Sequence, residues 1–196
     1  RKGQTDFSSI DGVSFRLDGK IVHTPEAPLI KDLETLPSFP YGMYVDMIEK
    51  AKHRCSYDWG FIVTSRGCPY KCNYCSQRMM TGSTYRYFSP NRIVQELDIL
   101  INRFKAKAVC FMDDNFCFMK ARVKEVCDAI IASGLGKKCT FSLQTRADNF
   151  YPEVIPMMKE ASFTAVGFGM ETGVERLAKQ INKGETLQQH IDAVHL

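Results

Sequence analysis

Thr64-Ser65-Arg66-Gly67-Cys68-Pro69-Tyr70-Lys71-Cys72-Asn73-Tyr74-Cys75-Ser76 follows directly on the apolar run Phe61-Ile62-Val63. That run is short and mostly β-branched, and Gly67 and Pro69 stop it, so it reads as a buried strand entering a loop. The loop carries three cysteines spaced C-x3-C-x2-C. Three thiolates in one tight loop converge on a common point, which suits a soft, thiophilic metal centre. Iron–sulfur clusters are held by cysteine thiolates, four as a rule. Three leave one iron without a protein ligand. An open position on a redox cluster points to chemistry more than to electron storage.

Working outward, strand and helix patterns alternate. Ser89-Pro90 opens a helix: Ser is a good N-cap, and Pro at the first helical position has no hydrogen bond to lose. Ile93, Val94, Leu97, Leu100, Ile101 and Phe104 then share one face. A strand over 108–112 ends in Asp113-Asp114-Asn115-Phe116. A helix with Val123, Val126, Cys127, Ile130 and Ile131 on one face closes at Gly134 or Gly136. A third strand is expected at 139–146, a short helix at 152–160, and a fourth strand at 165–170. Helices over 174–182, with Gly184 as a stop after Lys183, and from Thr186 onward finish the chain. This alternation argues for α/β architecture with βα units and a parallel sheet. Right-handed crossovers would set the helices on one side of a curling sheet.

The strands sort their side chains by parity. Thr140, Ser142, Gln144 and Arg146 share one face of the third strand, with Phe141 and Leu143 opposite. Ala165, Gly167, Gly169 and Glu171 share one face of the fourth, against Val166, Phe168 and Met170. Helices outside the sheet want the apolar set, so the small and polar set lines the interior. In such folds the C-terminal strand ends carry the site. Asp113, Asp114, Arg146 and Glu171 fall there with the cysteine loop, and Ser142 and Gln144 are weaker interior candidates. Plainer roles stay open: a loop start for Asp113-Asp114, a surface ion pair for Arg146, a helix N-terminal carboxylate for Glu171.

Residues ahead of the loop differ in character. Val13, Phe15 and Leu17 alternate, Asp18-Gly19 follows, and Ile21-Val22 resumes. Asp-Gly between alternating apolar runs predicts a two-residue β-hairpin, because both turn residues take positive φ. The prolines between Thr24 and Pro40 then make an extended connector. With 196 residues the chain is long enough for one domain with a real core. Its net charge of +4 is spread without a basic stripe, so nucleic acid is not an expected partner. No apolar run is long enough to span a membrane. The first residue is Arg1 rather than Met, and the last, Leu196, falls within a helical pattern, so an excerpt of a longer protein is expected. Zinc would need a fourth ligand, for which Cys55, His53 or His23 offer themselves without ribbon-like spacing. A disulfide framework is not expected, since 44% apolar composition builds a core without staples. Cys110 and Cys127 read as small core residues, and reduced thiols point to the cytoplasm.

The cysteine loop resembles the signature of the radical S-adenosylmethionine (SAM) enzymes, in its spacing, its flanking Gly67-Cys68-Pro69 and its place after a strand. The resemblance implies a 4Fe–4S cluster on Cys68, Cys72 and Cys75, with the open iron chelating the amino and carboxylate groups of SAM. It implies Tyr74 near the adenine. Asp113 or Asp114 stands where the family contacts the methionine amino group, although Asp-Asp-Asn-Phe replaces the usual Gly-Gly-Glu. Arg146 would fork onto the SAM carboxylate, and Glu171, in Gly169-Met170-Glu171-Thr172-Gly173, would contact ribose or methionine. The fold implied is a partial (β/α)6-type barrel, here cut to about four units. The reaction implied is one-electron cleavage of SAM to a 5′-deoxyadenosyl radical, driven by an electron donor such as flavodoxin or ferredoxin and spent on a small-molecule substrate.

Asp11-Gly12-Val13, Asp18-Gly19-Lys20-Ile21-Val22, Pro28 to Leu33 and Leu36-Pro37 are similar to the connector of the cobalamin-dependent branch. There it joins a cobalamin-binding domain to the radical SAM core. The implied division is a connector over 1–55 and a core domain over 56–196, with cobalamin bound in the full-length protein and methyl transfer or cyclisation as the outcome. A tRNA methylthiotransferase-like enzyme and a non-catalytic metal-binding module are the alternatives.

Overall fold

The computed structural model describes residues 6–44 and 59–196, and the chain divides into two units, 1–31 and 32–196. The expected boundary at 55/56 and the zinc candidates His53 and Cys55 lie outside the described residues.

In the first unit, β1 (Ser14–Leu17) and β2 (Lys20–His23) pair antiparallel, with Leu17 opposite Lys20. Asp18 has φ 47° and Gly19 φ 78°, the two positive values that this turn demands. Beyond the strands, the Val13 and Thr24 amides bond across the hairpin, to Thr24 Oγ1 and Val13 O respectively, each at 3.0 Å. His23 shares a 2.8 Å hydrogen bond with Ser14 Oγ in this hairpin.

The second unit holds a four-stranded parallel sheet. In chain order its elements begin with β3 (Trp59–Ile62), then a small antiparallel ribbon of β4 (Ser65–Arg66) and β5 (Arg86–Tyr87) flanking α1 (Gln77–Met80). Then come α2 (Pro90–Asp98), β6 (Ala108–Phe111), α3 (Lys120–Ser133) and β7 (Thr140–Thr145). The chain finishes with α4 (Ile155–Glu160), β8 (Phe163–Phe168), α5 (Glu175–Gln180) and α6 (Leu187–Val194). The sheet order is β3-β6-β7-β8, all parallel. The expected α/β parallel sheet is therefore present, as an open sheet rather than a closed barrel among the described residues.

Local chemistry accounts for the helix ends. Ser89 Oγ accepts from the Arg92 amide at 3.3 Å with Pro90 next in line, so α2 starts where the cap and proline place it. Gly134 closes α3 in the left-handed region, at φ 68°. Thr186 and Gln189 form a reciprocal capping box on α6. The fourth strand starts two residues earlier than its sequence pattern suggests. A register shift between Phe141 and Ser142 lets Phe163 pair ahead of Ala165.

One face of the sheet is covered by the helices. Val109, Phe111, Phe141, Leu143 and Phe163 meet Ile93, Leu97, Val123, Val126, Cys127 and Ile130 there. Each fully buried side chain of this kind contributes about 1.5–3 kcal/mol. Rings of Phe111, Phe116, Phe141 and Phe163 stack edge-on and tilted around the centre. The opposite face carries Trp59, Phe61 and Met112, all about half exposed. Cys110 falls on this open side, its Sγ 3.5 Å from Met112 Sδ. It is not the core residue its apolar neighbours suggest, because its parity is Met112's and not that of Val109 and Phe111.

Candidate functional site

The cysteine loop is pinned at both edges. Gly67 has φ 91°, and a Cβ there would stand 2.1 Å from Thr84 O; the Cys68 amide donates to Gly82 O at 3.2 Å. On the other side the end of α5 reaches over. The Asn73 amide donates to Ile181 O and its side-chain amide to Gln180 O, both at 2.9 Å, while Asn182 Nδ2 donates to Lys71 O at 3.0 Å. Tyr70 ties the loop to the strand ends through Asn149 Oδ1 at 3.1 Å, which also accepts from buried Asn115 at 2.6 Å. Cys68 and Cys72 are half-buried and Cys75 exposed. Burial, the largest influence, pushes the Cys68 thiol up.

Nine of the ten residues singled out from sequence line one cavity of about 480 Å³: Cys68, Cys72, Cys75, Tyr74, Asp113, Asp114, Gln144, Arg146 and Glu171; Ser142, lower on its strand, does not. Gly167 and Gly169 leave room in its wall. Among the described residues no three His, Cys, Asp or Glu side chains close on the point a single metal ion requires. Three cysteines lining one cavity fit an iron–sulfur cluster, which cysteine thiolates hold.

Asp113 and Asp114 part ways. Asp113 is 2% exposed. Its oxygens accept from Thr64 N at 2.6 Å, Thr64 Oγ1 at 2.6 Å, Ser65 N at 3.1 Å and Ser65 Oγ at 2.7 Å. Arg122, from α3, lies 3.6 Å away and also donates to Thr64 O at 3.1 Å. The carboxylate is thus committed to the start of the cysteine loop. Asp114 is half-buried and faces the cavity, accepting from Gln77 Nε2 and, at 3.2 Å, from Thr81 Oγ1. Burial raises its carboxyl above the usual range despite those bonds.

Arg146 is buried, its fork already filled: Nε and Nη2 bond the Asp148 carboxylate at 2.9 and 2.8 Å. Its guanidinium lies 3.5 Å from the Tyr70 ring centroid. Glu171 behaves differently. It is about two-fifths exposed, and its Oε1 accepts from Tyr74 Oη at 3.0 Å. Burial and then this carboxylate raise the Tyr74 phenol above its ordinary value.

From sequence, Lys183 reads only as part of a helix stop and Glu185 carries no signal. Lys183 and Glu185 are both buried and paired at 2.8 Å. Lys183 also donates to Gly169 O and faces the cavity. Glu185 Oε1 accepts from the Ala147 amide at 2.6 Å. Burial alone would raise its carboxyl; the ammonium of Lys183 and the guanidinium of Arg146 outweigh that and hold it low. Gly184, at φ 81°, turns the chain so that both neighbours point inward.

Glu171 also sits at φ 63°, in a tight turn closed by the Thr172 amide on Met170 O at 2.7 Å. A non-glycine residue held there stores about 1–3 kcal/mol. Glu171→Gly is therefore expected to unfold at equal or higher denaturant than wild type, by up to about 1 kcal/mol, although it removes the Tyr74 bond. A clear loss of stability in that variant would show the carboxylate to be structural.

The description "Radical SAM superfamily" matches residues 62–196. An uncharacterized methyltransferase of Pyrococcus horikoshii is 34% identical over 190 residues, covering 96% of this chain and 40% of that protein. An anaerobic magnesium-protoporphyrin IX monomethyl ester cyclase of Synechocystis sp. is 30% identical over 201 residues, covering 100% and 38%. The chain thus spans about two-fifths of the length of these relatives. In structure it resembles the cobalamin-dependent S-adenosylmethionine radical enzyme OxsB, with a TM-score of 0.76 at 21% identity over 96% of this chain and 28% of that one. No described helix is long and apolar enough to cross a membrane.

Proposed function

Since the chain belongs to the radical SAM superfamily, we propose that it is the cluster-bearing part of an enzyme that cleaves SAM reductively and acts on a small molecule. The observation that carries this reading is the convergence of Cys68, Cys72 and Cys75 with Tyr74, Asp114, Gln144 and Glu171 on one cavity. When bound, a 4Fe–4S cluster and SAM supply one-electron scission of a sulfonium carbon–sulfur bond. The three cysteines hold the cluster. Asp114, which faces the cavity, takes the SAM amino group in place of Asp113. Tyr74 lies against the adenine, and Glu171 takes the ribose. Gln144 donates from the sheet face.

Cobalamin belongs to this reading through OxsB, whose structure is described with aqua-cobalamin and SAM bound. Relatives named as a methyltransferase and as a cyclase support either outcome. A second cavity of about 500 Å³, walled by Phe61, Val63, Met80, Phe88 and Ile93, shares Gln77, Met112 and Asp114 with the first. Its apolar wall supports a hydrophobic substrate. An electron donor of the flavodoxin or ferredoxin kind and a reducing cytoplasm complete the proposal.

The test is anaerobic reconstitution of the full-length protein with iron and sulfide, then dithionite and SAM, with 5′-deoxyadenosine as readout. Wild type is expected to form it and Cys72→Ala is not. A colourless, zinc-loaded wild type, or an intact cluster that leaves SAM whole, would overturn the reading.

A further inference from the structure

The donors of Arg146 can be followed one by one. Its Nε and Nη2 are taken by Asp148 at 2.9 and 2.8 Å, and its plane lies over Tyr70. Nη1 remains, and it lies 3.9 Å from Cys72 Sγ and 3.9 Å from Glu185 Oε2. A guanidinium chelated along one edge and stacked on a ring has no freedom to swing onto a substrate carboxylate. It can only present its remaining nitrogen where it already points.

We propose that Arg146 is a positioning residue for the cluster rather than a SAM ligand: it donates to the Cys72 sulfur and sets how readily the cluster accepts an electron. This rests on the radical SAM reading of the cysteine loop. Hydrogen bonds to ligand sulfurs and net local charge are among the levers that set iron–sulfur potentials. A cation beside a ligand sulfur stabilises the reduced, more negative state. Three buried charges and the half-buried Asp148 balance there, Arg146 and Lys183 against Asp148 and Glu185. Neutralising Arg146 therefore leaves an uncompensated negative charge next to Cys72 and makes reduction harder. Asp148 and Tyr70 act through the arginine, by fixing its plane.

The experiment is an EPR-monitored redox titration of the reconstituted full-length holoprotein, in wild type, Arg146→Met, Arg146→Gln and Arg146→Lys, with dithionite as the reductant. Iron and sulfide content and SAM binding are measured in parallel. At the wild-type midpoint, the ratio of reduced to oxidised cluster is expected to fall at least tenfold in the two neutral variants. For a one-electron couple that is a shift of about 59 mV to lower potential. Arg146→Lys, which keeps the charge, is expected to stay within a few-fold of wild type. Should Arg146→Met fail to fold, Arg146→Gln and Arg146→Lys still differ by the same tenfold ratio if the proposal holds. An unmoved midpoint in Arg146→Gln with SAM binding lost would overturn it and return Arg146 to the SAM carboxylate. A wild type with no reducible cluster would instead overturn the radical SAM reading beneath it.

Discussion

Replacing Asp113 with alanine is expected to cost about 3–5 kcal/mol, the range for removing one partner of a buried ion pair. Against a typical total stability of about 5–15 kcal/mol that brings the fold to the edge of unfolding. The carboxylate accepts four bonds at 2.6–3.1 Å from the amides and hydroxyls of Thr64 and Ser65. All of these groups are buried, so removing the acceptor strands them without water. Arg122 is the lesser partner. It stands 3.6 Å off and has its own acceptors in Thr64 Oγ1 at 2.6 Å, Thr64 O at 3.1 Å and Tyr85 Oη at 3.1 Å. The order of loss expected in urea unfolding is therefore Asp113→Ala, then Arg122→Met, with Asp113→Asn between them or close to the arginine variant. Unchanged m-values would confirm that stability alone has moved. An arginine variant worse than the alanine would shift the weight to the ion pair, and a loss below about 1 kcal/mol in Asp113→Ala would remove the brace altogether.

Asp113 also shows what a sequence can tell and where it stops. The hairpin turn, the start of α2, the order of strands and the cysteine loop were legible because each rests on local chemistry: Asp18-Gly19, Ser89-Pro90, the β-branched runs and the C-x3-C-x2-C spacing. Reading Asp113 and Asp114 as one unit missed a signal that was present. Alternation carried past β6 puts Asp113 with buried Val109 and Phe111, and Asp114 with open Met112. Lys183, Glu185, Asn182 and Asp148 carry no comparable signal. Glu185 meets the Ala147 amide across 38 residues and Asn182 meets Lys71 O across 111. Such pairings exist only once α5 and the loop after it fold back over the cysteines. Arg146 had the right parity for the cavity, and what fills its fork, Asp148 two residues on, is a matter of backbone turning after β7 that periodicity does not reach.

Gly67→Ala is expected to keep the sheet and lose the cluster. The position has φ 91°, and an added Cβ would lie 2.1 Å from Thr84 O and 2.9 Å from Thr84 C. These are backbone atoms, and Thr84 lies two residues before β5, which pairs with β4, so neither side can yield as a flexible side chain would. The backbone conformation contributes about 1–3 kcal/mol of strain and the clash about 1–3 more. Both fall on the residue that aims Cys68. The control is Gly134→Ala. It has a similar φ of 68° but nothing within 4 Å of the added carbon, so it bears the strain alone. In reconstitution, Gly134→Ala is expected to take up iron and sulfide like wild type, while Gly67→Ala takes up less than about a tenth, because a displaced Cys68 would leave two of the three proposed ligands in place. Equal uptake in the two variants would mean that the loop can reset its turn without moving its sulfur. The cluster would then depend on Asn73, Asn182 and the end of α5 for its geometry, and not on the turn that leads into it.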